Sequence, residues 1–360
     1  QRLENPSFSN RCPGLSLVLS CGNFVCEKVK GENEQNCPAD CIQASIRSYN
    51  QQTLCEEVKQ VFTPTTELEV QGIVRNALAN HQKVKAVGNA HSANQILCSN
   101  GVVIATEKLN RVIGIEQFEG DETVRLEPGV TLAGLTDWLD AKGKSVGYAV
   151  MGFNGVSIAG AISTGSHGSS VNHDTVLANA VKSLNVVGAD GKLHHYSERT
   201  TDQKSWRALK TSFGLLGIIT EIRLKVIPQK NLEVNVTYGS ESDFTQTGDV
   251  FSLVKECDWG QINWFPGAQS YMKSCGKVTN KPAQKEATNR LVDPSFPGLL
   301  VKPIKQVMQY AACEPAVACL LDRMRSLQMK VSPPFQYRNE NGKVVSAKNL
   351  RSEERRVGKE

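Results

Sequence analysis

The chain has 360 residues, 40% of them hydrophobic, enough to bury a sizeable core and to divide into two or more domains. Its 41 basic and 36 acidic residues give a net charge of +5 spread along the length, which excludes the concentrated basic face of a nucleic-acid binder. No apolar run approaches the roughly 18 residues needed to cross a bilayer, so no membrane span and a soluble protein are expected.

Five of the eleven cysteines, Cys12, Cys21, Cys26, Cys37 and Cys41, fall in the first 41 residues, a density that points to disulfides and the secretory pathway or a secreted protein. Gln1 in place of an initiating Met fits a removed signal peptide and equally a fragment. The stretch Cys21-Gly-Asn-Phe-Val-Cys26 with Cys37-Pro38-Ala39-Asp40-Cys41 resembles a small extracellular cysteine-rich repeat, and residues 1–46 are read as such a module. Glu27, Glu32, Glu34 and Asp40 are oxygen ligands of the kind calcium takes and equally polar turn residues, and no metal site is assigned. The triplet Asn235-Val236-Thr237 is a glycosylation sequon.

From Val61 the pattern becomes regular. A short strand leads to Pro64 and a capping box, Thr66 with Glu69, so a helix is expected there. Its apolar stripe is Val70, Ile73, Val74, Ala77 and Leu78, it ends near Asn80, and Val84 to Val87 is the next strand, completing a crossover unit. Strands at Val102 to Ala105 and Val124 to Leu126 follow. A second helix then buries Leu132, Leu135, Trp138 and Leu139 and stops at Gly143. Beyond a Gly-rich segment, strands near Val181 to Val187 and Leu193 to Tyr196 form a hairpin through Ala189-Asp190-Gly191. A last strand ends at Pro228, where a domain edge is placed. Strand-like pieces at Leu232 to Val236 and Ile262 to Phe265 and a helical run from Ile304 to Met329 make up a second domain. The charged residues from Arg351 to Glu360 are read as a solvated or non-native tail.

Two segments are candidates for chemistry. Val87-Gly88-Asn89-Ala90-His91-Ser92 leaves a strand in a tight turn whose backbone N–H groups can face an anion, and Gly88 and Asn89 both tolerate left-handed backbone angles. By itself His91 reads as a loop histidine. Ser157-Ile158-Ala159-Gly160-Ala161-Ile162-Ser163-Thr164-Gly165-Ser166-His167-Gly168 is rich in small residues that let a backbone lie against a ligand, yet it has neither Walker nor nicotinamide-type glycine spacing. Together with Gly214-x-x-Gly217-Ile218-Ile219-Thr220, these segments resemble, in order and separation, the flavoprotein family typified by vanillyl-alcohol oxidase, with most likeness to the sugar-1,4-lactone and alditol oxidases.

The resemblance implies an α+β fold: a PCMH-type FAD-binding domain of two α/β subdomains over 51–230, then a partial antiparallel-sheet-plus-helix substrate (cap) domain over 231–345, with 346–360 a charged tail. It implies FAD held covalently through His91, the position of the histidine in the family's G-G-G-H-S loop, although the middle glycines are here Asn89 and Ala90. The cofactor-binding residues it carries over are Val87, Gly88, Asn89, Ala90, His91 and Ser92; then Ser157, Gly160, Ala161, Thr164, Gly165, His167 and Gly168; then Gly217, Ile218 and Ile219. A related group adds a cysteine link before the second segment. This chain has Phe153-Asn154-Gly155 there, so one covalent link is expected. Cys55 and Cys98 are expected to pair in a secreted relative, two buried thiols being the other reading. His194 and His195 are expected at the surface.

The activity implied is oxidation of a sugar lactone or polyol, with O2 as acceptor and H2O2 as product. A dehydrogenase with another acceptor, or a non-catalytic secreted flavin-binding or interaction protein, are the alternatives. The family's C-terminal H-W-x-K segment is not found, and no catalytic base is assigned.

Overall fold

The computed structural model describes residues 44–49, 53–147, 155–282, 315–331 and 343–346. The cysteine-rich stretch from Cys12 to Cys41 with its candidate calcium carboxylates, Phe153 and Asn154, and the charged tail lie outside these residues.

In chain order the elements begin with strands β1 (Ala44–Arg47), β2 (Leu54–Val58) and β3 (Gln60–Phe62), helix α1 (Glu67–Ala79), then β4 (Val84–Val87), β5 (Val102–Ala105), β6 (Val112–Phe118), β7 (Asp121–Leu126), α2 (Leu132–Asp140) and the short β8 (Lys144–Ser145). They continue with α3 (Ile158–Ser163), β9 (Val181–Val187), β10 (Leu193–Ser197), α4 (Gln203–Lys210), β11 (Ile218–Lys225) and β12 (Ile227–Pro228). Last come β13 (Asn231–Ser240), α5 (Ser242–Thr245), β14 (Trp259–Phe265), β15 (Ser270–Thr279), α6 (Pro315–Val331) and β16 (Lys343–Ser346). The chain divides into two compact units, one from residues 1–138, 155–166 and 177–226, the other from 139–154, 167–176 and 227–360.

In the first unit, α1 starts where the Thr66 side chain accepts a bond from Glu69 N. The Glu69 carboxylate reaches back to Thr65 N at 2.7 Å, one residue beyond the usual capping-box partner. Val70, Val74 and Ala77 are buried, but Leu78 is 53% exposed. At 100° per residue Leu78 stands about 80° round the helix from Val70, outside the buried face. The crossover β3–α1–β4 is present, with a difference in strand order. β5 inserts between β3 and β4 and runs parallel to both, pairing Val103 with Val61 and with Lys85. All four residues of β5 are buried, as a strand covered on both faces requires.

A second, antiparallel sheet runs in the order β10-β9-β11-β7-β6. The two sheets meet through α1: Val70 and Val74 share a core with Ile104 of β5, Val187 of β9 and Ile218 of β11. At the edge of this core the Thr220 hydroxyl donates to the Glu67 carboxylate at 2.6 Å. The first unit is thus a mixed α/β structure, a small parallel sheet and a larger antiparallel sheet sharing one helix.

The second unit is built on the antiparallel sheet β14-β15-β13-β16, with α6 packed against β14 and β15. β15, one of its two interior strands, is buried over most of Ser270–Gly276, so it shows no polar–apolar alternation to read from sequence. A disulfide, Cys257–Cys275, joins the turn before β14 to β15. Residues 167–176 attach here too: Asn172 donates to Lys255 O and Cys257 O, and His173 Nε2 lies 2.9 Å from the Asp258 carboxylate. Among the described residues Cys319 is a free thiol, half-buried in α6.

Candidate cofactor-binding site

β4 delivers the chain from the buried Val87 into the loop Gly88–Ser92. The left-handed residue of that loop is Ala90, at φ 52°, and neither Gly88 nor Asn89. A side chain held there carries about 1–3 kcal/mol of backbone strain, which the surroundings must offset. They do so from several directions. Asn89 Nδ2 donates to Gly155 O, Ala90 O accepts from Tyr49 N at 2.8 Å, and the Thr53 hydroxyl donates to Ala93 O at 2.7 Å. Beyond the loop, the Cys55–Cys98 disulfide ties β2 to its far end. The pairing expected for these two cysteines is the one found.

Gly88 abuts Ser157. A Cβ at position 88 would overlap Ser157 Oγ and lie 2.9 Å from Ser157 Cβ, so the loop and the second segment are in contact only because residue 88 has no side chain. Ser157 caps α3, whose Ile158, Ala161 and Ile162 point into the core. The small-residue segment is therefore partly helical, with its apolar positions committed to packing. α3 ends in a Schellman motif: Ser166 N reaches Ala161 O at 2.9 Å, Gly165 N reaches Ile162 O at 3.0 Å, and Gly165 takes φ 68°. Gly165 thus has a structural reason of its own. Gly160 is close to Ser157 Oγ, at 2.9 Å from an added Cβ, and its carbonyl accepts from the Thr164 hydroxyl.

The third segment closes on the other two. Phe213 N donates to Ser163 O at 3.0 Å, and Lys85 Nζ, from β4, donates to Phe213 O at 2.7 Å. Burial lowers the pKa of Lys85 below the usual lysine range. Phe213 and Gly214 are both left-handed, at φ 52° and 73°, and turn the chain toward Gly217, at φ 124°. A Cβ on Gly217 would fall 2.5 Å from Val186 Cγ1 and 2.7 Å from Val187 O. Ile218 and Ile219 are buried, the Ile218 side chain in the core beneath α1, which leaves their main chain for any ligand contact.

His167 and Gly168 fall in the second unit, where His167 Nδ1 lies 2.8 Å from Gly168 O and Gly168 N donates to Thr175 O. His194 and His195 face outward beside Asp190 and Asn185 respectively. Tyr49, Lys85 and Gly155 join the site without having been singled out from the sequence, because each acts through a contact distant along the chain.

The residues of the first unit suit a dinucleotide cofactor. From Gly88 to Ser92 and from Gly155 to Ser166 there are amide and hydroxyl donors, a histidine, small residues and no carboxylate, a donor set compatible with a pyrophosphate. Among the described residues there is no cluster of three His, Cys, Asp or Glu side chains that could hold a metal ion. No helix among them is long and apolar enough to cross a membrane.

Residues 58–197 match the family model described as FAD binding domain. Among known proteins, L-gulonolactone oxidase of Bos taurus is 28% identical over 226 residues, covering 63% of this chain and 50% of that protein. L-gulonolactone oxidase 3 of Arabidopsis thaliana is 33% identical over 221 residues, covering 58% and 37%. L-gulono-1,4-lactone dehydrogenase of Mycobacterium tuberculosis (strain ATCC 25618 / H37Rv) is 28% identical over 274 residues, covering 76% and 61%. The chain spans about half the length, 50%, of the first of these relatives. Its fold is that of cholesterol oxidase from Brevibacterium sterolicum, with a TM-score of 0.69 at 15% identity over 86% of this chain and 62% of that one.

Proposed function

We propose that this chain binds FAD through its first unit, covalently through His91, and serves the oxidation of a sugar-1,4-lactone or polyol alcohol. The observation that carries the reading is the convergence of three segments far apart in sequence: the Gly88–Ser92 loop against Ser157, Ser163 against Phe213, and Lys85 against Phe213. The names of the gulonolactone relatives support the substrate class. The FAD-binding domain is assigned to 51–230, the partial cap to 231–345, and the cofactor contacts to those residues carried over from the resemblance that lie in the first unit, which leaves out His167 and Gly168. The two disulfides support a secreted or secretory-pathway protein.

In this reading the flavin, when bound, accepts a hydride from the carbon bearing the substrate hydroxyl. His91 supplies a ring nitrogen for the covalent link, and the left-handed Ala90 sets where the imidazole emerges from the loop. Gly88, by its close approach to Ser157, and Asn89, by its bond to Gly155 O, keep the loop against α3. Gly160, Ala161, Thr164 and Gly165 are assigned to the cofactor as small residues that let the backbone lie against it, the amides of Ala161, Thr164 and Gly165 and the Thr164 hydroxyl being engaged within α3 and its cap. Gly217 to Ile219 are assigned to its other side.

Acid precipitation of the purified protein tests the cofactor: a yellow pellet absorbing near ~450 nm supports covalent FAD, whereas a colourless pellet overturns attachment at His91. Peroxide released with gulono-, galactono- or arabinono-lactone supports an oxidase. The Mycobacterium tuberculosis relative, a dehydrogenase by name, favours a second reading, in which turnover needs a dye acceptor and no peroxide forms. A protein inactive under both conditions would be a non-catalytic flavin-binding module.

A further inference from the structure

All of the β1–β2 hairpin except its last residue, Val58, precedes the stretch 58–197 that matches the FAD-binding family model, yet the hairpin holds the loop that carries His91. Ser48 N bonds to Thr53 O at 2.8 Å and closes the hairpin end. From that end Tyr49 N donates to Ala90 O and the Thr53 hydroxyl to Ala93 O, one residue before His91 and two after it. Ile46, Cys55 and Val58 share one core with Val87 and Leu97, which flank the loop, and Cys55–Cys98 links the two covalently. On this brace the Tyr49 ring stacks on the His91 imidazole, centroids 4.4 Å apart and planes 16° from parallel.

The stack has a chemical consequence. The second side-chain torsion of histidine is broad, so an unsupported imidazole sweeps its two nitrogens through many directions. An aromatic ring lying flat on one face blocks that rotation, because a turned imidazole would drive its edge into the neighbouring ring. We propose that Tyr49 is a positioning residue for flavin attachment: it fixes the plane of the His91 ring and so aims the nitrogen that forms the bond. This rests on the reading of His91 as the attachment residue. In that step His91 forms a bond from a ring nitrogen to the carbon of the flavin's benzenoid methyl group. The methyl carbon loses one proton and the imidazole N–H another, the electron pair of the broken C–H bond passes into the flavin, and the two protons are taken up by the reduced ring's nitrogens or by solvent. The product is the two-electron-reduced, linked form, which O2 reoxidises with release of H2O2. The rate depends on alignment, where a displacement of about 1 Å can cost on the order of 100-fold.

Tyr49 is 38% exposed, so its replacement opens no core cavity. The test uses the full chain from a riboflavin-limited host, given FAD after purification, with acid-precipitable flavin followed over time for wild type, Tyr49→Phe and Tyr49→Leu. Tyr49→Phe should couple within about 2-fold of wild type, and Tyr49→Leu about 10-fold or more slowly. Before FAD is added, the His91 Hε1 proton resonance should be shifted upfield by the stacked ring in wild type and Tyr49→Phe, and should lose that shift in Tyr49→Leu. Coupling of Tyr49→Leu at the wild-type rate, or an unchanged Hε1 resonance in that variant, overturns the inference. A wild type that takes up no acid-stable flavin removes the His91 reading and this one with it, a pattern distinct from a loss confined to Tyr49→Leu.

Discussion

Replacing Gly88 by Ala probes the contact between the His91 loop and α3. Gly88 is not among the residues with positive φ, so its backbone accepts Ala, and the penalty is steric alone. The new Cβ would overlap Ser157 Oγ and sit 2.9 Å from Ser157 Cβ, with the next atom, Thr106 Oγ1, at 4.0 Å. A Ser157 rotamer change removes the first clash but not the second, so the backbone must shift, and overpacking of this kind costs about 1–3 kcal/mol. Ser157 makes no side-chain capping bond to α3, so Ser157→Gly by itself should cost only a few tenths of a kcal/mol. With Gly at 157 the obstacle is gone, and Gly88→Ala should then stabilise by about 0.4–1 kcal/mol through the unfolded state. The two substitutions should therefore couple favourably by about 1.5–4 kcal/mol, measured as a double-mutant cycle in urea unfolding. Coupling below about 0.5 kcal/mol would mean that the loop does not rest on Ser157, and the convergence that supports the cofactor reading would lose its first leg.

Gly217→Ala should be worse and harder to rescue. It combines a left-handed φ of 124° with contacts to Val186 Cγ1 and to the Val187 carbonyl, a backbone atom that cannot be trimmed. A loss of about 2–6 kcal/mol is expected, read as a collapse in soluble yield or urea midpoint. Removing Cys55–Cys98, with a sequence separation of 43, should cost about 4 kcal/mol by loop-closure entropy, against about 3 kcal/mol for Cys257–Cys275 with a separation of 18. Paired Cys→Ala variants in urea check both, and a Cys55/Cys98 variant as stable as wild type would contradict the hairpin's role as a brace. The Lys182 and Lys225 ammonium groups hold the Asp121 carboxyl at about 2, down from 3.8. Since the folded-state value is the lower one, the stabilisation is complete above about pH 4 and disappears as the pH falls through about 2. Asp121 is 23% exposed, so Asp121→Asn should lose no more than about 1 kcal/mol at neutral pH. Thermal midpoints of the two proteins should converge near pH 2, and a gap that persists there would count against the ion-pair explanation.

Much of the first unit could be read from the residues because its signals are local. Thr66 and Glu69 mark the start of α1, four consecutive apolar residues mark β5, and Gly143 marks a helix end by the left-handed angle it supplies. Less local features escaped. Leu78 fits a loose helical stripe but lies past its edge, β15 is interior and so carries no alternation, and the partner of Cys257 depended on the register of a sheet.

The same division applies to the candidate site. Sequence alone determined that His91 stands in a small-residue loop at the end of a strand, and that two further glycine-bearing segments follow in a definite order, since chain order and residue type are what a motif consists of. Tertiary structure decided why those residues matter. Gly88 is small because Ser157 approaches it, Ala90 bears the strained angle because the β1–β2 hairpin holds its carbonyl, and the His91 ring has a plane because Tyr49 lies against it. Each of those facts is a distance between atoms remote along the chain, fixed by packing and hydrogen bonding after the core has formed.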